Sequence, residues 1–202
     1  MTAPVGVILA GGLSRRMGGG DKGLLDLGDK PLLQHVIDRL GPQVRTMALN
    51  ANGDANRFAN YGLPVIADET TDFAGPLAGV LAGMVWGAAQ GADHIVTVAA
   101  DTPFFPTDLV ARLKASLTPD SAIALAATPD PERGMARHPT FGLWPTNLAD
   151  DLRQALADGT RKVVAWTDRH GTAMAEFPAS PFDPFFNVNT PDDLIRAQEL
   201  LR

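Results

Sequence analysis

The chain has 202 residues, 45% of them hydrophobic, and a formal net charge of −6. That is apolar material for one α/β domain with a sizeable core, spanning 1–202, whereas two independent domains would each be small. The acidic balance argues against a broad nucleic-acid or anionic-membrane face, and the lack of cysteine removes disulfides, thiolate zinc sites and a cysteine nucleophile.

Met1–Pro4 leads straight into an apolar segment with no basic n-region and no run of membrane-spanning length, so a cytoplasmic location is expected. Val5 to Leu9 is short, apolar and β-branched, the pattern of a buried strand. It empties into Ala10-Gly11-Gly12, then Arg15-Arg16, three glycines at 18–20 and Asp21-Lys22. Missing side chains let such a backbone approach a ligand closely, and Arg and Lys neutralise charge, so the loop suits a polyphosphate. It fits neither common template. The dinucleotide fingerprint needs a G-x-G-x-x-G spacing and an acidic residue after the second strand, where Asn50 stands. The Walker pattern needs Lys directly after a glycine and followed by Ser or Thr.

A short extended piece, Leu24 to Leu27, precedes a Gly28-Asp29-Lys30 turn. Pro31 opens a helix to about Leu40, with apolar residues at helical spacing, and His35 on it reads as structural. Val44 to Leu49 is a second strand, Asp54 to Asn60 a polar helix, and Pro64 to Ala67 a third strand ending at Asp68. Leu77 to Ala89 is a helix on which Gly79, Gly83 and Gly87 recur every four residues, leaving one face bare for close packing or a ligand. Ile95 to Ala100 reads as a central parallel strand that ends in Asp101. A helix over 107–117 and a strand over Ala122–Ala127 follow. The polar, proline-rich stretch 128–139 is expected to be a functional loop. A strand at Thr140–Trp144, a helix at Leu148–Leu156, a helix or strand at Lys162–Trp166, a strand at Ala173–Phe177 and a last helix from Thr190 complete the chain.

This alternation predicts a three-layer α/β/α sandwich with a mostly parallel sheet. Ligands of such folds sit at the carboxyl ends of the strands. Those ends carry residues 10–22, Asn50, Asp68, Asp101 and the Asn187/Asn189 pair. Asp101 follows the most buried strand, where a carboxylate is costly unless paired or metal-bound, and is the candidate metal ligand. Asn189-Thr190-Pro191 is also a good helix start, but one cap does not account for both asparagines. His138, beside Arg137, is a candidate anion contact.

The stretch LAGGLSRRMGGGDKGLLDLGDKPLLQHV resembles the signature of nucleotidyltransferases that activate small phosphorylated compounds, and among them the molybdenum cofactor guanylyltransferase family. The resemblance extends through Asn50-Ala51-Asn52, Val65 to Asp68, Gly75-Pro76-Leu77-Ala78-Gly79, Asp101-Thr102-Pro103, Arg137-His138-Pro139-Thr140 and Phe186 to Pro191, so it covers nearly the whole chain. It implies a Rossmann-like nucleotidyltransferase fold with Leu9, Ala10, Gly11 and Gly12 lining the guanine nucleotide and Lys22 on its phosphates. It also implies that Asn50 and Asp68 hold base and ribose, and that Asp101 binds nucleotide and Mg²⁺. Arg16, Lys22 and Asp101 would serve catalysis, and Gly79, Arg137, His138, Asn187 and Asn189 the pterin substrate. The 128–139 stretch is longer and more proline-rich than the family pattern.

The implied reaction joins the GMP part of GTP to the terminal phosphate of molybdenum-molybdopterin and releases pyrophosphate. Its implied further partners are transient ones, a molybdenum insertase and apo-molybdoenzymes. The rival readings are the cytidylyltransferase of the same cofactor, a sugar-phosphate nucleotidyltransferase and a GTP-binding carrier without chemistry. Ala10-Gly11-Gly12 and Asp21-Lys22 favour guanine by resemblance. A GTP-binding switch would need a Walker loop.

Overall fold

The computed structural model describes residues 3–11, 21–69 and 75–201. The first strand, β1 (Val5–Leu9), is buried on both faces and pairs in parallel with β4 (Met47–Asn50) on one side and β6 (His94–Ala99) on the other. A strand sandwiched in this way has no solvated face, which is why its sequence is an unbroken apolar run. Beyond β4 lies the two-residue β5 (Val65–Ile66), also parallel. Beyond β6 the direction reverses. The long β8 (Gly134–Pro145) runs antiparallel to both β6 and β7 (Ile123–Asp130), and β9 (Thr172–Glu176) closes that side in parallel with β7. Among the described residues the sheet therefore reads β5-β4-β1-β6-β8-β7-β9. A small hairpin, β2 (Asp26–Leu27) with β3 (Lys30–Pro31), turns at Gly28, where φ is 69°.

Helices cover both faces. On one lie α1 (Leu32–Leu40) and α3 (Leu109–Ser116), whose Leu33, Val36, Leu40, Leu109 and Leu113 meet Ile8, Leu49, Val96 and Leu143 of the sheet. On the other lie α2 (Pro76–Ala89), α4 (Ala149–Ala157) and α5 (Val163–Thr167), packed on Val5, Val7, Ile95, Leu125 and Trp144. The three-layer expectation holds. A third cluster, Leu27, Leu32, Phe104, Val188 and Ala197, seats α6 (Pro191–Leu200) on the small hairpin.

The bare face of α2 does what a face without side chains allows. A Cβ at Gly83 would lie 2.9 Å from both Val7 and Ile95, and one at Gly87 would collide with Ile95. Both glycines let the helix lie directly on β1 and β6, as the packing reading required.

Several elements differ from expectation. The polar helix is a 3₁₀ helix, Ala55–Tyr61, capped by the Asp54 side chain on the Asn56 N–H and stopped at Gly62 with φ 64°. The second strand starts later, because Gly41–Gln43 first makes a 3₁₀ turn. The largest correction concerns 128–139, which is no loop: β7 runs to Asp130, β8 starts at Gly134, and only 131–133 turn. Pro129 is tolerated because β9 pairing ends at Ala127, so its missing N–H faces no strand on that side. The turn is held by the Asp130 carboxylate, which accepts from the Glu132 and Arg133 N–H groups, and closes at Gly134 with φ 73°. Farther along, partners shift from Leu125–Gly142 to Ala126–His138, so Pro139, Thr140 and Phe141 bulge out of the ladder.

Candidate functional site

The carboxyl ends of β4, β1 and β6 lie side by side, because Leu9 pairs with both Asn50 and Ala99. The chain continues in step beyond them: Ala10 N–H donates to Asn50 O at 2.9 Å and Ala100 N–H to Leu9 O at 3.1 Å. After β1 the chain passes through α1 to β4 on one side, and after β6 it passes through α3 to β7 on the other, so the gap between β1 and β6 is the sheet's topological switch point, the crevice where open α/β folds take ligands.

On the β6 side, Lys22 Nζ donates to Asn189 Oδ1 at 2.6 Å and stands 3.6 Å from Asp101 Oδ2. Each partner arrives for a local reason. Lys22 opens a 3₁₀ turn, Lys22–Leu24, whose Gly23 has only 3.6 Å between its would-be Cβ and Ala100, so the turn rests on the end of β6. Asn189 is carried by the segment after Phe185, whose ring is locked edge-on against Phe141 and Phe177. Val188 N–H then donates to Asp101 O at 2.9 Å, and buried Val188 fixes the register. Thr102, fully buried, donates its hydroxyl to Asn187 Oδ1. The helix cap falls on Thr190, which forms a capping box with Asp193, so the Asn189 side chain is free to serve Lys22. Burial pushes the Asp101 carboxyl above the usual carboxylate range, and Lys22 draws it back down.

On the β4 side, Asn50 is buried and its Nδ2 donates to Asp68 Oδ1 at 2.8 Å and to Ile66 O at 3.2 Å. Its Oδ1 is thereby turned toward Gly11 and Gly79. A Cβ at Gly79 would overlap that oxygen and lie 2.8 Å from Leu9. Gly79, expected on the pterin side, thus lies with Leu9, Gly11 and Asn50. Asn52 grips Asp68 at two points, accepting from its N–H at 2.9 Å and donating to Oδ2 at 2.8 Å. Asn52 and Thr102 were not singled out from sequence, although both stand in strand-end motifs that were. The signal available was a second polar residue one or two positions after a strand-end asparagine or aspartate.

Gly12 and Arg16 lie outside the described residues. Arg137 and His138 are described and make their contacts with residues other than Lys22, Asp101 and Asn189. Arg137 donates to Asp168 Oδ1 at 2.7 Å. His138 pairs through Nε2 with Thr128 Oγ1 at 2.9 Å and stacks on Phe185 at 4.3 Å, and burial lowers its pKa, with Asp183 opposing. The imidazole lies against Phe185 in surroundings that disfavour its charged form, the form a contact to an anion would call on.

Among the described residues no three His, Cys, Asp or Glu side chains gather into a metal cage. A single part-buried carboxylate suits a hard cation that keeps its waters and takes its other oxygens from a bound phosphate, which is the habit of Mg²⁺. Nor is any described helix long and apolar enough to cross a membrane.

Comparison with known proteins gives the chain's family. Residues 6–173 match the family model described as the MobA-like NTP transferase domain. The chain is 51% identical over 203 residues to a molybdenum cofactor guanylyltransferase of Bradyrhizobium sp. (strain ORS 278), covering 98% of this chain and 93% of that one. It is 52% identical over 198 residues to the protein of the same name from Rhodopseudomonas palustris (strain BisB5), covering 96% and 92%. Among solved structures, molybdopterin-guanine dinucleotide biosynthesis protein A of Archaeoglobus fulgidus superposes with a TM-score of 0.70 at 24% identity, covering 98% of both chains. A CMP:2-keto-3-deoxy-manno-octonic acid synthetase complexed with CTP superposes at 0.74 with 18% identity, covering 99% of this chain and 98% of that one. At such identities these two structures speak for the fold.

Proposed function

The chain belongs to the MobA-like NTP transferase family, and we propose that within it this protein transfers GMP from GTP to the terminal phosphate of molybdenum-molybdopterin, releasing pyrophosphate. The observation that carries the reading is the meeting of Lys22, Asp101 and Asn189 at one side of the β1 end with Asn50 and Asp68 at the other. A nucleotide laid across that end would have its phosphates over the first group and its base and ribose against the second. Leu9, Ala10 and Gly11 would form the floor, with Gly12 and Arg16 continuing it.

The fold alone does not choose the base, since a CTP-bound synthetase shares it. The relatives at about half identity are guanylyltransferases by name. The local chemistry is consistent with them: Asn50 spends its amide N–H groups on Ile66 and Asp68, which leaves its Oδ1 as the acceptor that faces Gly79 and Gly11. Guanine presents two adjacent donors, N1–H and the N2 amine, to such an acceptor.

An ionised pterin phosphate is already a nucleophile, so the protein needs no strong base. Its task is to hold two mutually repelling anions in line and to stabilise charge on the departing pyrophosphate. Lys22 supplies a movable cation. Asp101 has the position and burial to hold Mg²⁺, which when bound would neutralise phosphate charge at the reacting end of the nucleotide. Asn187 and Asn189 border the same space and would face the incoming pterin phosphate, with Arg137 farther out as a second contact. A cytoplasmic setting, and delivery of the product through a molybdenum insertase to apo-molybdoenzymes, complete the proposal.

The test is to incubate purified protein with molybdopterin and GTP, CTP or ATP, with Mg²⁺ or with chelator, and to follow pyrophosphate. Release specific to GTP and Mg²⁺ is expected. Equal release from CTP would move the assignment to a cytidylyltransferase, and nucleotide binding without pyrophosphate would reduce the protein to a carrier.

A further inference from the structure

We propose that Arg57 is a positioning residue for this reaction, tying the exit of the glycine-rich segment at Asp21 to the turn that carries Asn52 and, through it, Asp68. The inference rests on the nucleotide-transfer reading above and adds a residue outside the motifs that support it.

Arg57 sits in the 3₁₀ helix after β4, with both Nη atoms hydrogen-bonded and its Nε meeting Asp21 as a charge contact without a directed hydrogen bond. Nε lies 2.5 Å from Asp21 Oδ2, Nη1 donates to Asp54 O at 2.6 Å, and Nη2 donates to Asn52 O at 2.8 Å. One face of the fork covers the ring of Phe58 at 4.6 Å, and Phe58 is itself buried in the core. The Arg57 and Asp21 side chains are 27% and 20% exposed, so this differs from the solvated surface pairs that contribute little. Two directed hydrogen bonds, a charge contact to Asp21 and one stacked face are together a set that the planar guanidinium meets and an ammonium does not.

Asp21 is the other half of the argument. It precedes the Lys22–Leu24 turn, where an aspartate side chain usually caps the first N–H groups, yet it makes no such cap bond. Its carboxylate is turned to Arg57, while the next side chain, Lys22, reaches Asn189 and Asp101. Arg57 thus does two things. It cancels a negative charge that would otherwise stand one residue from the cation meant for a polyphosphate. It also joins two contact groups into one frame, from Asp21 through Arg57 and the Asn52 carbonyl to the two-point Asn52–Asp68 grip and on to Asn50. A nucleotide that must touch both ends at once gains from having that spacing set in advance.

The experiment compares R57A, R57K, D21N and D21N/R57A with the wild type by thermal unfolding, steady-state kinetics and nucleotide titration calorimetry. R57A is expected to raise KM for GTP about tenfold or more, with KM for the pterin substrate within about twofold and little change in Tm. R57K should recover only a small part, and added guanidinium ion should restore R57A. The double variant should be no worse than R57A, because both removals break one link. Unchanged GTP kinetics in R57A, equal losses on both substrates, or additive effects in the double variant would each overturn the inference. Should the wild type form no product from GTP, the transfer reading falls. The calorimetry on GTP, CTP and ATP still decides this inference, because equal affinities of wild type and R57A for all three would refute it.

Discussion

The ammonium group of Lys22 touches Asn189 Oδ1 at 2.6 Å and faces Asp101 Oδ2 at 3.6 Å, so one flexible cation joins chain positions 167 residues apart. On the proposed reading, a lysine shared between an amide oxygen and a carboxylate would swing to a phosphate, and the cation brought with the nucleotide would then take its place beside Asp101. Lys22→Ala is therefore expected to lower kcat by about 10²–10³-fold, the usual cost of removing one preorganised charge-stabilising donor. Asp101→Ala should cost at least as much. Asn189→Ala, which removes the guide of Lys22 and one polar group on the pterin side but no charge, should cost about tenfold in kcat. Pyrophosphate release by purified variants, with circular dichroism to confirm folding, checks the order. Equal effects of Asn189→Ala and Lys22→Ala would contradict it.

The three glycines of α2 separate function from packing. Alanine at Gly83 or Gly87 drives a methyl into Val7 or Ile95, and such overpacking costs about 1–3 kcal/mol. At Gly79 the methyl meets Asn50 Oδ1 and Leu9 instead. Alanine there should displace the amide from its bonds to Asp68 and Ile66, at a stability cost like that at the other two, and it alone of the three should raise KM for GTP, by about tenfold or more. Urea midpoints beside GTP kinetics on the three variants provide the check. A Gly79→Ala enzyme with wild-type KM would show that Asn50 is not a nucleotide contact.

What the sequence made legible was whatever is local and periodic. The runs Val5–Leu9 and Ile95–Ala100 could only be central strands, and the residues just past them could only collect at one rim. The 128–139 stretch misled because three prolines suggested a loop, whereas Pro129 falls where β9 no longer pairs and the turn signals are Asp130 and Gly134. The role of His138 was illegible because it depends on Phe185 and Thr128, whose nearness exists only after the sheet has formed. The asparagine pair was partly legible. A helix start at Asn189-Thr190-Pro191 allows either of the first two residues to cap α6, and the capping box falls on Thr190.

His138 should leave a signature in stability against pH. Burial holds its folded pKa below the ordinary value of about 6.5, Asp183 only partly opposing, so the folded protein resists a proton that the unfolded chain accepts. Its contribution is therefore level above about pH 6.5 and declines as pH falls below it. His94, also lowered by burial, adds in the same direction. His138→Gln should remove part of that decline, so its urea midpoint, compared at about pH 7.5 and about pH 5.5, should fall less than that of the wild type. Parallel declines in the two proteins would mean that the ring is not held neutral by its place against Phe185.

The start of α6 gives the last prediction, because it holds two tasks that can be pulled apart. Thr190 Oγ1 accepts from Asp193 N–H at 3.2 Å, and Asp193 Oδ2 accepts from both Thr190 N–H at 2.9 Å and Asn189 N–H at 3.0 Å. The first bond belongs to the helix alone. The last also fixes the backbone of the residue whose side chain receives Lys22. Thr190→Ala should therefore cost about 1 kcal/mol of stability, the usual value of a lost cap, with kcat close to wild type. Asp193→Ala removes the carboxylate from both N–H groups and lets Asn189 drift, so it should lower kcat several-fold beyond what its Tm change explains. Asp193→Asn keeps an oxygen in reach of the same N–H groups and should recover most of that loss. If the two alanine variants lose activity strictly in proportion to stability, α6 is only a prop, and the Asn189 contact owes nothing to the box that precedes its helix.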